Sequence, residues 1–449
     1  MGTLLLLLHL GSHPPFPYNW EPYTILYFLD FWHSPTLNIF HLTDSVMTDS
    51  GKSPIGVLPI WLFFKIYGLG LTQLRLPFAL LTSMVIPAFW LIARRLSGTM
   101  VASLATSLLI FSPVFLLYGR TATIVGISLL LLVISVYLLI RFIQNPSSWH
   151  YLIALQLMFL VNTYGYAPLR LLWPLCIFIF IVEIFFQRGK RYIFLFAAIL
   201  TILVLPFFLN LFYSTSGFSP ISTVSRYYNG AGEQIFIINN QNSYHYFLRN
   251  KTVFQNTAPS KSKNFLLPLS LISQNTKDYI RKLFDQNTKP VLTNYWQFDG
   301  RLYSHILVPF FLIGIFFAFI KARKQLEYRI LLVLFFGFGI PLILTSHVDV
   351  GRLIFTLPFL LLITANGFIQ FLNFVYYWLI KSKFLPHYFV SNFRTPLILG
   401  CSLIVVIIVA ISTWQDYHVS PVLSKGQSFC TILNNTPIYT TLRSYYFGC

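Results

Sequence analysis

The chain has very little charge for its length. Charged residues make up 10% of its 449 residues, whereas about 25% is usual in soluble domains. Only 12 residues are Asp or Glu, while 56% are hydrophobic, and the mean hydropathy is +0.68. So few charges cannot cover a water-facing surface. The composition therefore excludes an ordinary soluble domain and indicates a chain that is largely surrounded by lipid.

Cysteine is also scarce, and the four that are present form no C-x-x-C pair. This argues against a zinc site. No cofactor follows from the sequence, and whether a divalent metal binds stays open. The net charge of +19 comes from Lys and Arg that stand mostly between apolar runs. We attribute it to the positive-inside bias and to anionic lipids rather than to nucleic acid.

Long apolar runs are what the sequence has in quantity, and a membrane-spanning helix needs about 20 such residues. The runs predict spans at 76–96, 100–118, 122–143, 150–163, 168–187, 191–213, 304–321, 327–346, 353–380 and 395–413. The short leucine run at the start predicts the last part of a further membrane helix, or else an interfacial or frayed N-terminus. We therefore predict an all-α polytopic membrane protein with a bundle of about 11 transmembrane helices.

Residues 54–70 fit two interpretations, because they are apolar but contain two prolines, three glycines and Lys65 in mid-run. They either span the membrane or lie in its interface as an amphipathic helix. With an interfacial helix, the alternation of the other spans places most basic clusters on one side, including Arg94–Arg95, Arg141 and Lys381. By the positive-inside rule that side is cytoplasmic, so we favour the interfacial interpretation.

This topology divides the chain into four predicted parts. Residues 1–213 form an N-terminal membrane module, 214–303 a long extracytoplasmic loop, 304–413 the C-terminal transmembrane helices, and 414–449 an extracytoplasmic tail. Glu183, near the end of one predicted span, is interpreted as a packing or helix-end residue.

Most of the acids and a group of cations then share the extracytoplasmic face. A carboxylate among cations at a membrane surface suits one kind of chemistry, in which the cations bind a lipid-linked phosphate and the carboxylate takes a proton from an acceptor. Solvated loop residues are the other interpretation of the same pattern. The cations concerned are Lys52, Arg75, Arg120, Arg170 and Arg352.

A set of short motifs carries a family resemblance over roughly residues 15–370. In order they read Lys52-Ser53-Pro54, an aromatic stretch ending at Gly68, Arg75-Leu76-Pro77, Ala93-Arg94-Arg95-Leu96, Ser112-Pro113 and Tyr118-Gly119-Arg120. A Tyr-x-Tyr-x-Pro-x-Arg turn ends at Arg170, and Gly351-Arg352-Leu353 is followed by Pro358. The order and spacing resemble the GT-C superfamily of membrane glycosyltransferases, which includes protein O-mannosyltransferases and the aminoarabinose transferase of lipid A.

The resemblance implies a function and a set of site residues. It implies a GT-C-like bundle with an interfacial helix and a long extracytoplasmic loop. It also implies transfer of a sugar from a polyprenyl-phosphate donor to an extracytoplasmic acceptor (a glycan, a lipid or a protein), with inversion at the sugar. Lys52 and Arg352 are the first candidates for binding the lipid phosphate, followed by Arg170 and Arg120. The expected partners are the lipid-linked sugar, the acceptor and membrane lipids.

One departure from the family pattern leaves the base open. The family carries an Asp-Glu pair after its first helix, whereas this chain reads Asn19-Trp20-Glu21, so that only the second acid is matched. Either Glu21 is the base, or another loop acid such as Asp49 or Asp44 replaces it, or activity has been lost. Two other functions are alternatives to this glycosyltransferase reaction: a polysaccharide polymerase or ligase, and a lipid or solute transporter. A transporter would be expected to have an internal repeat and charged residues in the middle of the membrane, and the sequence shows neither.

Overall fold

The computed structural model describes residues 2–8, 10, 54–68, 71–163, 165, 167–214, 273, 276–277, 279–280, 304–343, 353–381 and 387–418. Every regular element in these residues is a helix, so the predicted all-α class is confirmed. The first half contains α1 (Gly2–Leu7), α2 (Pro54–Tyr67), α3 (Leu71–Ser83), α4 (Val85–Ser97), α5 (Thr99–Ile110), α6 (Pro113–Arg120), α7 (Ile124–Gln144), α8 (Trp149–Thr163), α9 (Leu172–Phe186) and α10 (Arg191–Ser214). The second half contains α11 (Val308–Ala322), α12 (Leu326–Ile343), α13 (Leu357–Lys381) and α14 (His387–His418).

Five stretches in the described residues are long and apolar enough to cross a membrane. They are Thr72–Ser97, Ile124–Gln144, Pro168–Phe186, Leu357–Lys381 and Arg394–Thr413. Each coincides with a predicted span. The bent pair α5–α6 would make a sixth, while α8 and α11 have shorter apolar lengths. The chain is thus an integral membrane protein, but the predicted count of about 11 spans is not confirmed.

The predicted span at 100–118 is broken into two helices. α5 and α6 meet at an angle of 61°. Between them Ser112 is extended, with φ −77° and ψ 125°, and Pro113 opens α6. A residue before proline is pushed out of the helical region, and proline at the first helical position cannot extend the helix that precedes it. The Ser-Pro dipeptide therefore sets the bend.

The disputed stretch at 54–70 forms the short helix α2, which ends at Gly68 with a positive φ of 76°. At 1.5 Å per residue its 14 residues would extend about 21 Å, less than the apolar core of a bilayer of about 30 Å. Ile60 is fully buried, while Leu58, Leu62 and Ile66 form an exposed apolar stripe. A short helix with one side packed and an apolar side exposed fits an interfacial position.

The core is built around α7 and α13. In each helix an apolar stretch of 18 residues crosses the membrane. Inside the protein, 78% of this stretch is buried in α7 and 67% in α13. Both helices are rich in apolar residues, as expected for helices that other helices surround. By contrast, only 11% of the corresponding apolar stretch of α14 is buried, so α14 lies at the periphery of the bundle.

Glycines let α13 approach α11 closely. A Cβ atom at Gly367 would lie 1.9 Å from the carbonyl oxygen of Phe310, and one at Gly314 would lie 2.0 Å from the carbonyl oxygen of Ile363. Close backbone approach through small residues is a common way for membrane helices to associate, because lipid supplies no hydrophobic force between them. The second half of the bundle is held together at this contact.

Polar side chains are grouped at one end of the bundle, which we call the basic end. It consists of the C-terminal ends of α4, α7, α9 and α11 and the start of α12. There Arg95 donates to the side chain of Gln144 (3.5 Å), which joins α4 to α7. Asn366 of α13 donates to Ser97 (2.8 Å) and accepts from Tyr328 (3.3 Å). We call the opposite end, where α1, α6 and α12 finish and α3 and α7 begin, the loop end.

Candidate functional site

Two of the predicted site residues, Arg120 and Arg170, are among the described residues, and both lie at the loop end. Glu21, Asp44, Asp49, Lys52 and Arg352 lie outside the described residues. Arg120 is the last residue of α6 and directly precedes α7. Arg170 lies in the 3-10 helix Ala167–Leu171 that leads into α9. The structure thus places both arginines around the start of α7.

Arg120 is buried and points at the end of α1. Its side chain is 6% exposed, and Nη2 donates to the carbonyl oxygen of Leu8. Arg75, in the second turn of α3, is fully buried and donates from Nη1 to the carbonyl oxygen of Leu10 (2.9 Å). The sequence pattern groups Arg75 with the other cations of this face, but it does not indicate that α1 is what it contacts.

The turn before Arg170 is packed tightly against α7. The backbone N–H of Gly165 donates to the carbonyl oxygen of Asn162 (3.1 Å). A Cβ at Gly165 would lie 3.1 Å from the hydroxyl of Ser128, in the first turns of α7. Asn162 is buried and donates to the hydroxyl of Ser135 (3.0 Å). These contacts hold the Arg170 turn to the loop end of α7.

The residues that follow Arg352 form a fully buried turn at the same end. Leu353, Phe355 and Thr356 are all inaccessible to solvent, and the Thr356 hydroxyl donates to the carbonyl oxygen of Leu353 (2.7 Å). Phe355 stacks on Phe338 of α12 with ring centroids 6.2 Å apart. This buried turn directly follows Arg352 in the sequence, and Arg352 itself lies outside the described residues.

Tyr279, from the predicted loop 214–303, is inserted into this turn. The side chain is buried, and its hydroxyl is in hydrogen-bonding contact with the hydroxyl of Thr356. Burial raises the pKa of the Tyr279 phenol well above its usual range, because a charged phenolate would lose its solvation there. A Cβ at Gly339 would lie 2.5 Å from the Tyr279 hydroxyl, so the absence of a side chain there makes room for the tyrosine.

We predict that Tyr279→Ala releases this part of the loop from the bundle. The variant loses a buried aromatic ring and its contact with Thr356, so backbone amides at 276–280 should exchange with solvent at least about tenfold faster. Hydrogen exchange followed by mass spectrometry measures this. Ile280→Ala is the matched control, because the neighbouring side chain is 50% exposed. Equal exchange in the two variants would show that Tyr279 does not anchor the loop.

The basic end holds a buried ion pair between Glu183 and Arg329. The sequence alone did not indicate that Arg329 is the partner of Glu183. Arg329 of α12 donates from Nε and Nη2 to the two carboxylate oxygens of Glu183 on α9, at 2.8 and 2.9 Å. Gln187 also donates to Glu183 (2.7 Å), and the guanidinium carbon of Arg329 lies 4.2 Å from the centre of the Phe186 ring. The interpretation of Glu183 as a packing residue is thereby refined: it joins α9 to α12.

The described residues contain no group of three His, Cys, Asp or Glu side chains that could together hold a metal ion. What they supply at the loop end is buried positive charge on Arg75 and Arg120, with Arg170 partly buried nearby. Such an arrangement can stabilise negative charge at a membrane surface, either on the protein or on a bound phosphate.

Comparison with known protein families gives one match, which covers part of the chain. Residues 51–209 match the family described as dolichyl-phosphate-mannose-protein mannosyltransferase. No curated protein sequence matches the chain. The matched interval begins just before Lys52 and contains Arg75, Arg120 and Arg170, and so includes most of the motifs on which the resemblance rests.

Solved structures share the fold at low sequence identity. The oligosaccharyltransferase of Archaeoglobus fulgidus in its apo form is 12% identical with a TM-score of 0.52, and the match covers 99% of this chain and 58% of that one. The same archaeal enzyme, AglB, in complex with an inhibitory peptide and a dolichol-phosphate is 13% identical with the same TM-score and coverage. ArnT from Cupriavidus metallidurans bound to undecaprenyl phosphate is 12% identical with a TM-score of 0.50, over 94% of this chain and 71% of that one.

The chain therefore spans 58% of the length of the archaeal enzyme. Both AglB and ArnT are GT-C glycosyltransferases. The resemblance inferred from the motifs is confirmed: this chain is a polytopic membrane protein with the GT-C glycosyltransferase fold, and its residues 51–209 match the mannosyltransferase family.

Proposed function

We propose that the protein transfers a sugar from a polyprenyl-phosphate donor to an acceptor on the extracytoplasmic side of the membrane. The observation that carries the proposal is the family match over residues 51–209, which includes the cations of the loop end. The fold supports it, since ArnT has been seen bound to undecaprenyl phosphate and AglB to dolichol-phosphate. The acceptor is a glycan, a lipid or a protein.

The proposed orientation puts the basic end in the cytoplasm. Arg95, Lys321 and Arg329 lie at this end, next to the termini of membrane helices, where positive charge favours the cytoplasmic side. The loop end, with Arg75 and Arg120, then faces the opposite side. In this arrangement 214–303 is an extracytoplasmic loop that separates the membrane module 1–213 from the helices of 304–413, and 414–449 contains an extracytoplasmic tail.

The proposed reaction is a single displacement at the anomeric carbon. The acceptor hydroxyl oxygen forms a bond to that carbon as the bond to the phosphate oxygen breaks, and the electron pair leaves on the lipid phosphate. The acceptor proton passes to the carboxylate of Glu21, or to Asp49 or Asp44 if one of these is the base. One displacement inverts the configuration. The leaving phosphate is a stable anion, so no strong acid is required.

Positive charge on the donor side stabilises the leaving phosphate. Lys52 and Arg352 are the proposed ligands: an arginine offers a bidentate fork to phosphate oxygens and a lysine offers a point charge. Arg170 and Arg120 are secondary candidates. The Arg120 guanidinium already donates to Leu8, which leaves fewer of its N–H groups for a phosphate.

The test is sugar transfer by the purified protein from a panel of polyprenyl-phosphate sugars. Glu21→Gln should lower turnover by about 10²- to 10⁴-fold, the usual contribution of a general base. Arg352→Ala should weaken donor binding. Asp30→Asn, which removes another acid from the segment that carries Glu21, serves as the control and should have little effect. Turnover unchanged in Glu21→Gln would assign the base to Asp49 or Asp44.

A catalytically inactive relative is the second candidate, and one observation favours it: Trp20 stands where the family pattern has the expected catalytic Asp. This candidate predicts no turnover with any donor, but donor binding that weakens in Arg352→Ala. Absence of donor binding altogether would contradict both functions and would favour a transporter.

A further inference from the structure

Two arginines from different helices converge on the end of α1. One acceptor is the carbonyl oxygen of Leu8, directly after Leu7, the last helical residue, and the other is that of Leu10, three residues after Leu7. Arg75 is 65 residues from its acceptor along the chain, and Arg120 is 112 residues from its own. Neither contact can therefore result from local sequence; both depend on how α3 and α6 pack around α1.

The chemistry of a helix end explains why cations are suited to this place. The last carbonyl groups of a helix, here including that of Leu8, have no donor within the helix and carry the negative end of the helix dipole. The carbonyl of Leu10 lies beyond the helix, in a buried residue, and a buried backbone acceptor also needs a donor. A guanidinium group provides the missing donors and a favourable charge. A buried cation is tolerated only where such partners exist. Side chains of apolar residues could fill the same space, but they could not bind the carbonyl oxygens.

Apolar packing also holds α1, at residues that precede the carbonyl groups bound by the arginines. Leu6 is fully buried, and a Cβ at Gly119 would lie 2.7 Å from it, so α6 approaches α1 as closely as a glycine allows. Gly2 is similarly close to Ile86 and Ile110. The helix is thus held along its length by apolar contacts, and its exit is held by Arg75 and Arg120.

We infer that Arg75 and Arg120 are positioning residues: they clamp the exit of α1 and so fix the start of the segment that carries Glu21. This inference rests on the proposed function, in which Glu21 or a neighbouring acid is the base. The clamp acts on the protein backbone rather than on the donor. Its loss should therefore lower turnover of the bound substrate, while the KM for the donor stays nearly constant.

Hydrogen exchange tests the clamp independently of activity. Arg75→Met removes the charge-assisted hydrogen bond to the carbonyl oxygen of Leu10, so amides of residues 2–10 should exchange about 10- to 100-fold faster. Arg75→Lys keeps the charge and a donor and should restore part of the protection. Arg394→Met is the matched control, because Arg394 is exposed and bonds to the side chain of Asn373 on the outside of the bundle. Unchanged exchange in Arg75→Met and Arg120→Met would overturn the proposal.

Kinetics on the same variants complete the test. Arg75→Met and Arg120→Met should lower kcat at least about tenfold, which corresponds to one lost hydrogen bond of this kind, and should change the donor KM less than about twofold. Arg75→Lys should recover part of kcat. A raised donor KM with normal exchange would identify the arginines as donor ligands and overturn the clamp. If the wild type turns over no donor, the proposed function fails, whereas the exchange measurement still decides whether the clamp exists.

Discussion

Replacing Glu183 with Gln should lower the free energy of unfolding by about 3–5 kcal/mol, the usual effect of breaking a buried ion pair by removing one partner. The substitution leaves the Arg329 guanidinium buried at 10% exposure without a carboxylate. It also weakens the contact with Gln187. Unfolding of the detergent-solubilised protein by denaturant, followed by circular dichroism, measures the change.

Glu327→Gln is the matched control for this prediction. Glu327 lies on the same helix as Arg329, two residues earlier, is partly exposed, and forms no ion pair within the described part of the chain. We expect its replacement to change the free energy of unfolding by less than about 0.5 kcal/mol. A double variant, Glu183→Gln with Arg329→Met, should lose less stability than the sum of the two single changes. Equal stability of Glu183→Gln and Glu327→Gln would refute the assigned role of the pair.

A single methyl group at Gly367 should separate α13 from α11. In Gly367→Ala the new Cβ would lie 1.9 Å from the carbonyl oxygen of Phe310 and 2.5 Å from the backbone nitrogen of Gly314. Because both are backbone atoms of the facing helix, no side chain can rotate to relieve the overlap. We expect a loss of about 2–3 kcal/mol in the free energy of unfolding, at the upper end of the range for overpacked cores.

Gly400→Ala provides the comparison, because a Cβ at that position meets no atom within 4 Å. Alanine is the better helix former, so this variant should be as stable as the wild type or slightly more stable. Gly314→Ala tests the same contact from the other side and should resemble Gly367→Ala, since its Cβ would lie 2.0 Å from the Ile363 carbonyl oxygen. Normal stability of Gly367→Ala would mean that the two helices do not pack in this way.

Membrane placement follows from the sequence because it depends on local composition. Runs of apolar residues determine which segments can enter lipid, and basic residues at their ends favour one orientation. The five strongest spans coincide with runs recognised in this way, and the motifs from Lys52 to Arg120 indicated the GT-C fold that the comparisons confirm. Even the bend between α5 and α6 has a local cause in Ser112-Pro113, although its angle of 61° is a property of the packed bundle.

Only the tertiary structure decided which polar groups meet. Glu183 reaches Arg329 across 146 residues of sequence, and Arg75 and Arg120 reach the end of α1 across 65 and 112. The apolar pattern of a sequence predicts which segments enter the lipid. Because membrane helices are nearly uniform in apolar character, this pattern does not predict which helices pack against each other. Their neighbours are selected by close backbone approach at small residues such as Gly119 and Gly367, and by the need of each buried charge for a partner. Both conditions become visible only when the helices are packed together.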